Sequence, residues 1–326
     1  MAHNLSFDKN TQEARFAHAD VQPWHSLGQN VRTAKNSREM MAAAHMDFRV
    51  EKMPLYLADG TLVEGNFANQ NQNDKRVYGI VGDRHTNLQI DEAFDFTDAL
   101  VADGSMTYRT IGMLENGKVW ILCMPKAQST IEIVKGDPIE ARLLFTTGFD
   151  GQTLTEARTT TITVVCNNTL TAAIGESKSN VLRIKHTASQ KDKLKVAAEI
   201  MKGHAEHQKT FTEALKFLAG KKLTNELVIA FEVAMFGDID KAEEGRGKTI
   251  LNNKLEQFEH LMLHGKGTEI PGRQGNAYGL LQSYTEWTDW MSAIRGTDDR
   301  TNSIVFGNGD KQKTAALSTL LQLVKV

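Results

Sequence analysis

Cys166 ends a β-branched run in 159-TTTITVVCNNTLTAAIGE-176 and is followed at once by Asn167 and Asn168. A thiol placed where a strand delivers the chain to a helix N-terminus is made more acidic by the helix dipole and the free N–H groups there. That is the setting a nucleophilic cysteine needs. Nothing local supplies a base, since the nearest histidine in sequence, His186, belongs to a separate segment. The reading that prevails is a small buried residue closing a strand, with Asn167 or Asn168 capping a helix over TLTAAI. Cys166, Asn167, Asn168 and Thr169 are therefore expected to act as a structural hinge, and no catalytic residue is assigned.

Other chemistry-bearing patterns weaken on inspection. His204 and His207 in GHAEHQ stand three apart on a helical stretch, a spacing that lets two imidazoles face one metal. The glutamate and spacing of HExxH are missing, so a solvated helix face is the favoured reading and no metal is expected. The stretch 242-AEEGRGKT-249 ends like a phosphate-binding loop, but Ala242 holds the place of the first glycine. It reads as a loop leading to a helix near Thr249. In 303-SIVFGNGDKQK-313, Gly307, Gly309, Lys311 and Lys313 would suit a phosphate, yet a plain cap by Asp310 explains the turn equally well.

The positive signal is charge. Over residues 178–202, six lysines and Arg183 outweigh Asp192 and Glu199, a local +5 in a chain of net −2. Such a segment can track a phosphate backbone with salt-sensitive affinity, although a solvated helix face is the commoner meaning of a charge run. Arg183, Lys185, Lys191, Lys193 and Lys195 are the expected phosphate contacts, with Arg84, Arg109 and Arg158 as secondary candidates. Tyr108, Trp120 and Phe149 are aromatics that would stack on bases, with Trp120 read as core.

The elements that must position these residues belong to an ordinary globular chain of 326 residues, 40% hydrophobic and 24% charged. No run approaches the length of a membrane span, and neither a signal nor a transit peptide is evident. With Cys123 and Cys166 as its only cysteines, a cytoplasmic protein with reduced thiols is expected. Up to residue 187 short β-type runs alternate with turns. Strands are expected at 77–81 and 86–90 around Gly82-Asp83, then a helix over 91–101 with Asp91 as N-cap. A hairpin follows at Asn116-Gly117, whose type I′ turn takes positive φ at both residues. STIEIVKG, EARLLFTTGFD and TTTITVV continue the sheet. Beyond 187 helical periodicity takes over, over 189–220 with Leu194, Ala198, Met201, Ala205, Thr212 and Leu215 as its stripe. Further helices are expected over 224–236, 249–264 and 277–294 and after Asp310. The fold class is α+β, an antiparallel sheet with packed helices over 1–187 and a helical subdomain over 188–326, or one continuous domain.

The segments PWHSLG, YGIVGDRHTNLQIDEAFDFTDALV, VVCNNTL, RIKHT and GNAYGLLQSYTEWTDW occur in that order. In this the chain resembles the phage/plasmid-like family of uncharacterised proteins. It departs at His85, where the family tends to have tyrosine, and at TEWTDW, where it tends to have TEYVDH. The resemblance implies a mobile-element setting near replication and recombination functions. The expected function is a non-enzymatic, homo-oligomeric protein of a phage or plasmid that binds or anneals single-stranded DNA, with no cofactor and no membrane contact. Two alternatives stand beside it. One is an enzyme acting on nucleic acid or nucleotides near VVCNNTL; the other is a structural or host-defence-interaction protein.

Overall fold

The computed structural model describes residues 5–19, 26–32, 34–102, 104, 106–125, 130–163, 169–170, 181–183, 190–292, 300–305 and 307–325. The fold is α+β. Its main sheet comprises β1 (Phe16–His18), β2 (Gln29–Asn30), β6 (Met106–Met113), β7 (Lys118–Pro125), β8 (Thr130–Val134), β9 (Asp137–Gly148), β10 (Glu156–Thr163), β11 (Thr169–Leu170) and β12 (Val181–Arg183). The order is β11-β10-β9-β7-β6-β1-β2, with β12 on β10 and β8 on β9. All pairings are antiparallel except β1 with β2. A smaller sheet is formed by β3 (Val50–Tyr56), β4 (Leu62–Asn71) and β5 (Val77–Gly82).

Strand β7 reads KVWILCMP, and its apolar run is nearly continuous because both of its faces are covered. Ile121 and Cys123 look toward α1 (Ser37–Ala43) and α2 (Ile90–Ala102), packing with Met40, Phe94, Ile111 and Phe145. Trp120 and Leu122 look the other way, where Leu5, Ala14 and Phe16 close over them together with Leu144. A second core lies among α3 (Gln190–Ala219), α4 (Asn225–Phe236), α5 (Arg246–His264), α6 (Ala277–Glu286), the π-helical turn Trp287–Met291 and α8 (Asn308–Leu323). It holds Phe211, Phe231, Phe258, Tyr284 and Leu317, the β8–β9 hairpin inserts Ile133 and Ile139 into it, and the short α7 (Arg300–Val305) leads into α8. Two ion pairs tie sheet to helices. Arg273 grips the fully buried Asp137 at the start of β9 through Nε and Nη2, the latter at 2.6 Å. Arg158 of β10 meets Asp310 of α8 at 3.1 Å. Inside the helical core, Lys313 Nζ lies 2.5 Å from Asp289, both buried.

Several expectations change. Residues 86–89 are not a strand, and Ile90 already begins α2. Side chains replace the ladder there: the Val50 amide donates to Gln89 Oε1, and Asn87 Nδ2 donates to Val50 O and Asn69 Oδ1. Asp91 sits inside the first helical turn, paired with Arg49, and is not the cap. The Asn116-Gly117 hairpin forms, but only Gly117 has positive φ (84°), so the turn is not type I′. Thr169 and Leu170 do not start a helix. They form β11, returning antiparallel along β10 with Ile162 opposite Thr169. Cys166, Asn167 and Asn168 lie outside the described residues. Helix α5 begins at Arg246, so GRGKT spans the Gly245 N-cap and the first helical turn. At α8 the N-cap is Gly307, and Asp310 points instead to Arg158.

Candidate anion-binding face of the main sheet

The register brings sequence-distant arginines to one side of the sheet. Leu122, Leu144 and Arg158 are successive partners across β7, β9 and β10, with Arg142 two residues before Leu144 and opposite Thr160. Side chains alternate along a strand, so Arg142 and Arg158 share the face of Trp120 and Leu122. Arg109 reaches that face through a bulge. The β6–β7 register shifts between Tyr108 and Thr110, and the extra residue re-aims its neighbour. Tyr108 stays in the α2 core, where its hydroxyl donates to Asp98 at 2.5 Å. The Arg109 Nη2, by contrast, lies 3.1 Å from Met124 Sδ.

Charge is uneven along this row. Arg142 places Nη2 2.6 Å and Nε 3.2 Å from Glu140 Oε2. The basicity of Arg109 is lowered by burial and then by the nearby Arg142 guanidinium, with Glu140 opposing. The Arg109 and Arg142 guanidiniums therefore both lie in the field of the Glu140 carboxylate. Arg158 differs: its guanidinium lies between Glu156 Oε1 at 3.0 Å and Asp310 Oδ2 at 3.1 Å, with 13% of the side chain exposed. It serves as a tie between β10 and α8, and a phosphate would have to displace a carboxylate to use it. At the edge of the face, Lys118 Nζ donates to Asn302 Oδ1 at 3.2 Å.

The other expected contacts fall elsewhere. Arg84 is exposed on the turn that follows β5 of the small sheet. The backbone register sets Arg183 opposite Glu156 on β12. Lys191, Lys193 and Lys195 lie in the first turns of α3. Lys185 lies outside the described residues. The proposed stacking aromatics are withdrawn: Tyr108, Trp120 and Phe149 are all buried. Arg142, Glu140 and Lys118 were not singled out from the sequence. The available signal was the period-two series Glu140, Arg142, Leu144, Thr146 in EARLLFTTG, which puts charge and apolar bulk on a single face.

The solvated-face reading of His204 and His207 is also overturned. The inner stripe of α3 runs through His204, His207, Phe211, Leu215 and Leu218, all buried, while Ala205 is exposed. Burial lowers both imidazole pKa values to about 4, with the neighbouring His207 adding to the shift at His204.

Residues 77–305, well over half of the chain, match the family described as Domain of unknown function (DUF932). The chain belongs to the DUF932 family. The DUF932 segment contains Arg109, Arg142 and Arg158 together with His204 and His207, and stops short of Asp310. The search of curated proteins found no match, and neither did the search of solved structures. Among the described residues no helix is long and apolar enough to cross a membrane.

Proposed function

We propose that this protein binds single-stranded DNA through its phosphates, using the Arg109–Arg142 face of the main sheet together with the basic entrance of α3. The carrying observation is the approach of Arg109 and Arg142 across β7 with Glu140 as their shared counter-charge. A planar guanidinium suits phosphate oxygens because its N–H groups form a fork, and a paired carboxylate holds that fork in orientation. Arg183, Lys185, Lys191, Lys193 and Lys195 supply further cationic length in the same proposal, with Arg84 and Arg158 secondary. The mobile-element setting, a homo-oligomeric assembly and a role in recombination or replication enter here too, supported by the resemblance to the phage/plasmid-like family.

The test is fluorescence anisotropy of a labelled single-stranded oligonucleotide at rising salt. Binding whose affinity falls steeply with salt is expected, since each phosphate contact releases counterions. Lys191→Glu, Lys193→Glu and Lys195→Glu combined should abolish that binding. The fold should survive, because acidic residues near a helix N-terminus are compatible with its dipole. Absence of any salt-dependent shift with the wild-type protein would sink the reading. Light scattering with and without the oligonucleotide separates DNA-dependent assembly from a fixed oligomer.

A further inference from the structure

We propose that His204 and His207 form the protein half of a binding site for a divalent transition-metal ion of the nitrogen-preferring class, such as Zn2+, Ni2+ or Co2+. The proposal is independent of the nucleic-acid reading. Three observations carry it. First, the histidines stand at i and i+3 on the inner face of α3, a spacing that lets both rings reach one ion, and they are only 4% and 6% exposed. Second, His204 Nδ1 lies 3.0 Å from Thr159 Oγ1 on β10. When Nδ1–H donates to that hydroxyl, the tautomer is fixed and the Nε2 lone pair is presented away from it, which is how a metal-binding imidazole is normally held. Third, His204 Nε2 is buried and has no hydrogen-bond partner among the described residues. An unsatisfied buried polar atom destabilises the fold, and a metal ion would remove that cost.

The surroundings suit the ligands. The His207 ring stacks on Phe211 with centroids 5.7 Å apart, which restricts its rotation. Exposed Lys202, Ala205 and Glu206 lie beside the pair on the helix, within a residue or two of solvent. Among the described residues no third histidine, cysteine or carboxylate completes a cage. Water or an exogenous oxygen ligand would fill the remaining positions.

A second histidine pair makes the test discriminating. His260 and His264 are exposed on α5 with ring centroids 4.8 Å apart, an alternative surface chelate. The experiment titrates Zn2+ by calorimetry and Co2+ by its visible absorption into the full chain, comparing wild type with His204→Ala, His207→Ala and the double variant His260→Ala/His264→Ala. One ion per chain is expected, lost in either α3 variant and retained in the α5 variant. Thr159→Val should weaken binding about tenfold by releasing the ring orientation, and it decides the matter if the histidine variants do not fold. No saturable binding, binding retained in folded α3 variants, binding lost only with His260 and His264, or, where the α3 variants do not fold, an unchanged affinity in Thr159→Val would each overturn the site.

Discussion

Toward α1 and α2 the main sheet presents Ile111, Ile121, Cys123 and Phe145, all fully buried, whereas its other face carries Arg109, Arg142 and Arg158 among carboxylates. Both faces come from the same strands, read at alternate residues. The first holds the fold through area removed from water and tolerates no charge. Even the Cys123 thiol is pushed up in pKa, by burial and then by Asp98. The second holds its mostly buried guanidiniums in carboxylate pairs, which an anion enters only by competing with a carboxylate. A change on the first face should therefore be felt as unfolding, and a change on the second as altered binding.

Four measurements can break or sharpen that contrast. Truncating Phe145→Ala should cost about 3–5 kcal/mol in urea denaturation, while the folded fraction keeps its affinity for oligonucleotide. A loss of affinity that exceeds the loss of folded protein would merge the two faces. The next effect is pH dependence. His204 and His207, opposite Thr159 on the apolar side, have folded pKa values of about 4 against an ordinary 6.5. Between pH 6.5 and 4 the unfolded chain binds more protons than the folded one, so stability falls as pH falls through that window and levels below it. The loss should reach a few kcal/mol for the pair. Melting temperatures across pH 7 to 4 check this, and His207→Gln should flatten the slope.

On the charged face the effects are smaller in stability and larger in binding. Arg142→Gln should cost about 1–3 kcal/mol, because it strips a largely buried Glu140 of its partner, and weaken oligonucleotide binding several-fold with a salt slope lower by about one. Smallest of all, Glu140→Gln should leave stability within about 0.5 kcal/mol and tighten binding, because it removes the carboxylate between Arg109 and Arg142. If tightening does not occur, Glu140 is not competing with an anion there.

The order of elements was legible because its signals are local. Thr224 caps α4 through the Leu227 amide, Gly220 follows α3, and Gly117 supplies the left-handed residue of its hairpin. The arginine face was only half legible. Arg109 and Arg158 could be named, but their alignment with Arg142 depends on inter-strand register and on a bulge, neither of which the alternation within one strand records. The phase of α3 was misread for a related reason. Counting apolar residues favoured Ala205 over its neighbours, while the buried stripe uses two histidines where aliphatic side chains would ordinarily stand.

The Asp137–Arg273 pair bears on how the chain is made as well as on how it is held. Its partners are 136 residues apart in sequence, and Arg158 and Asp310 are 152 apart. A ribosome that has delivered the whole sheet still has to synthesise the helices before either carboxylate–guanidinium contact can close. Until then Asp137 has to keep its hydration, so the end of the β8–β9 hairpin that carries it stays unsealed. Burial of Asp137 and closure of the Arg158–Asp310 tie therefore both wait on segments made long after the strands they secure.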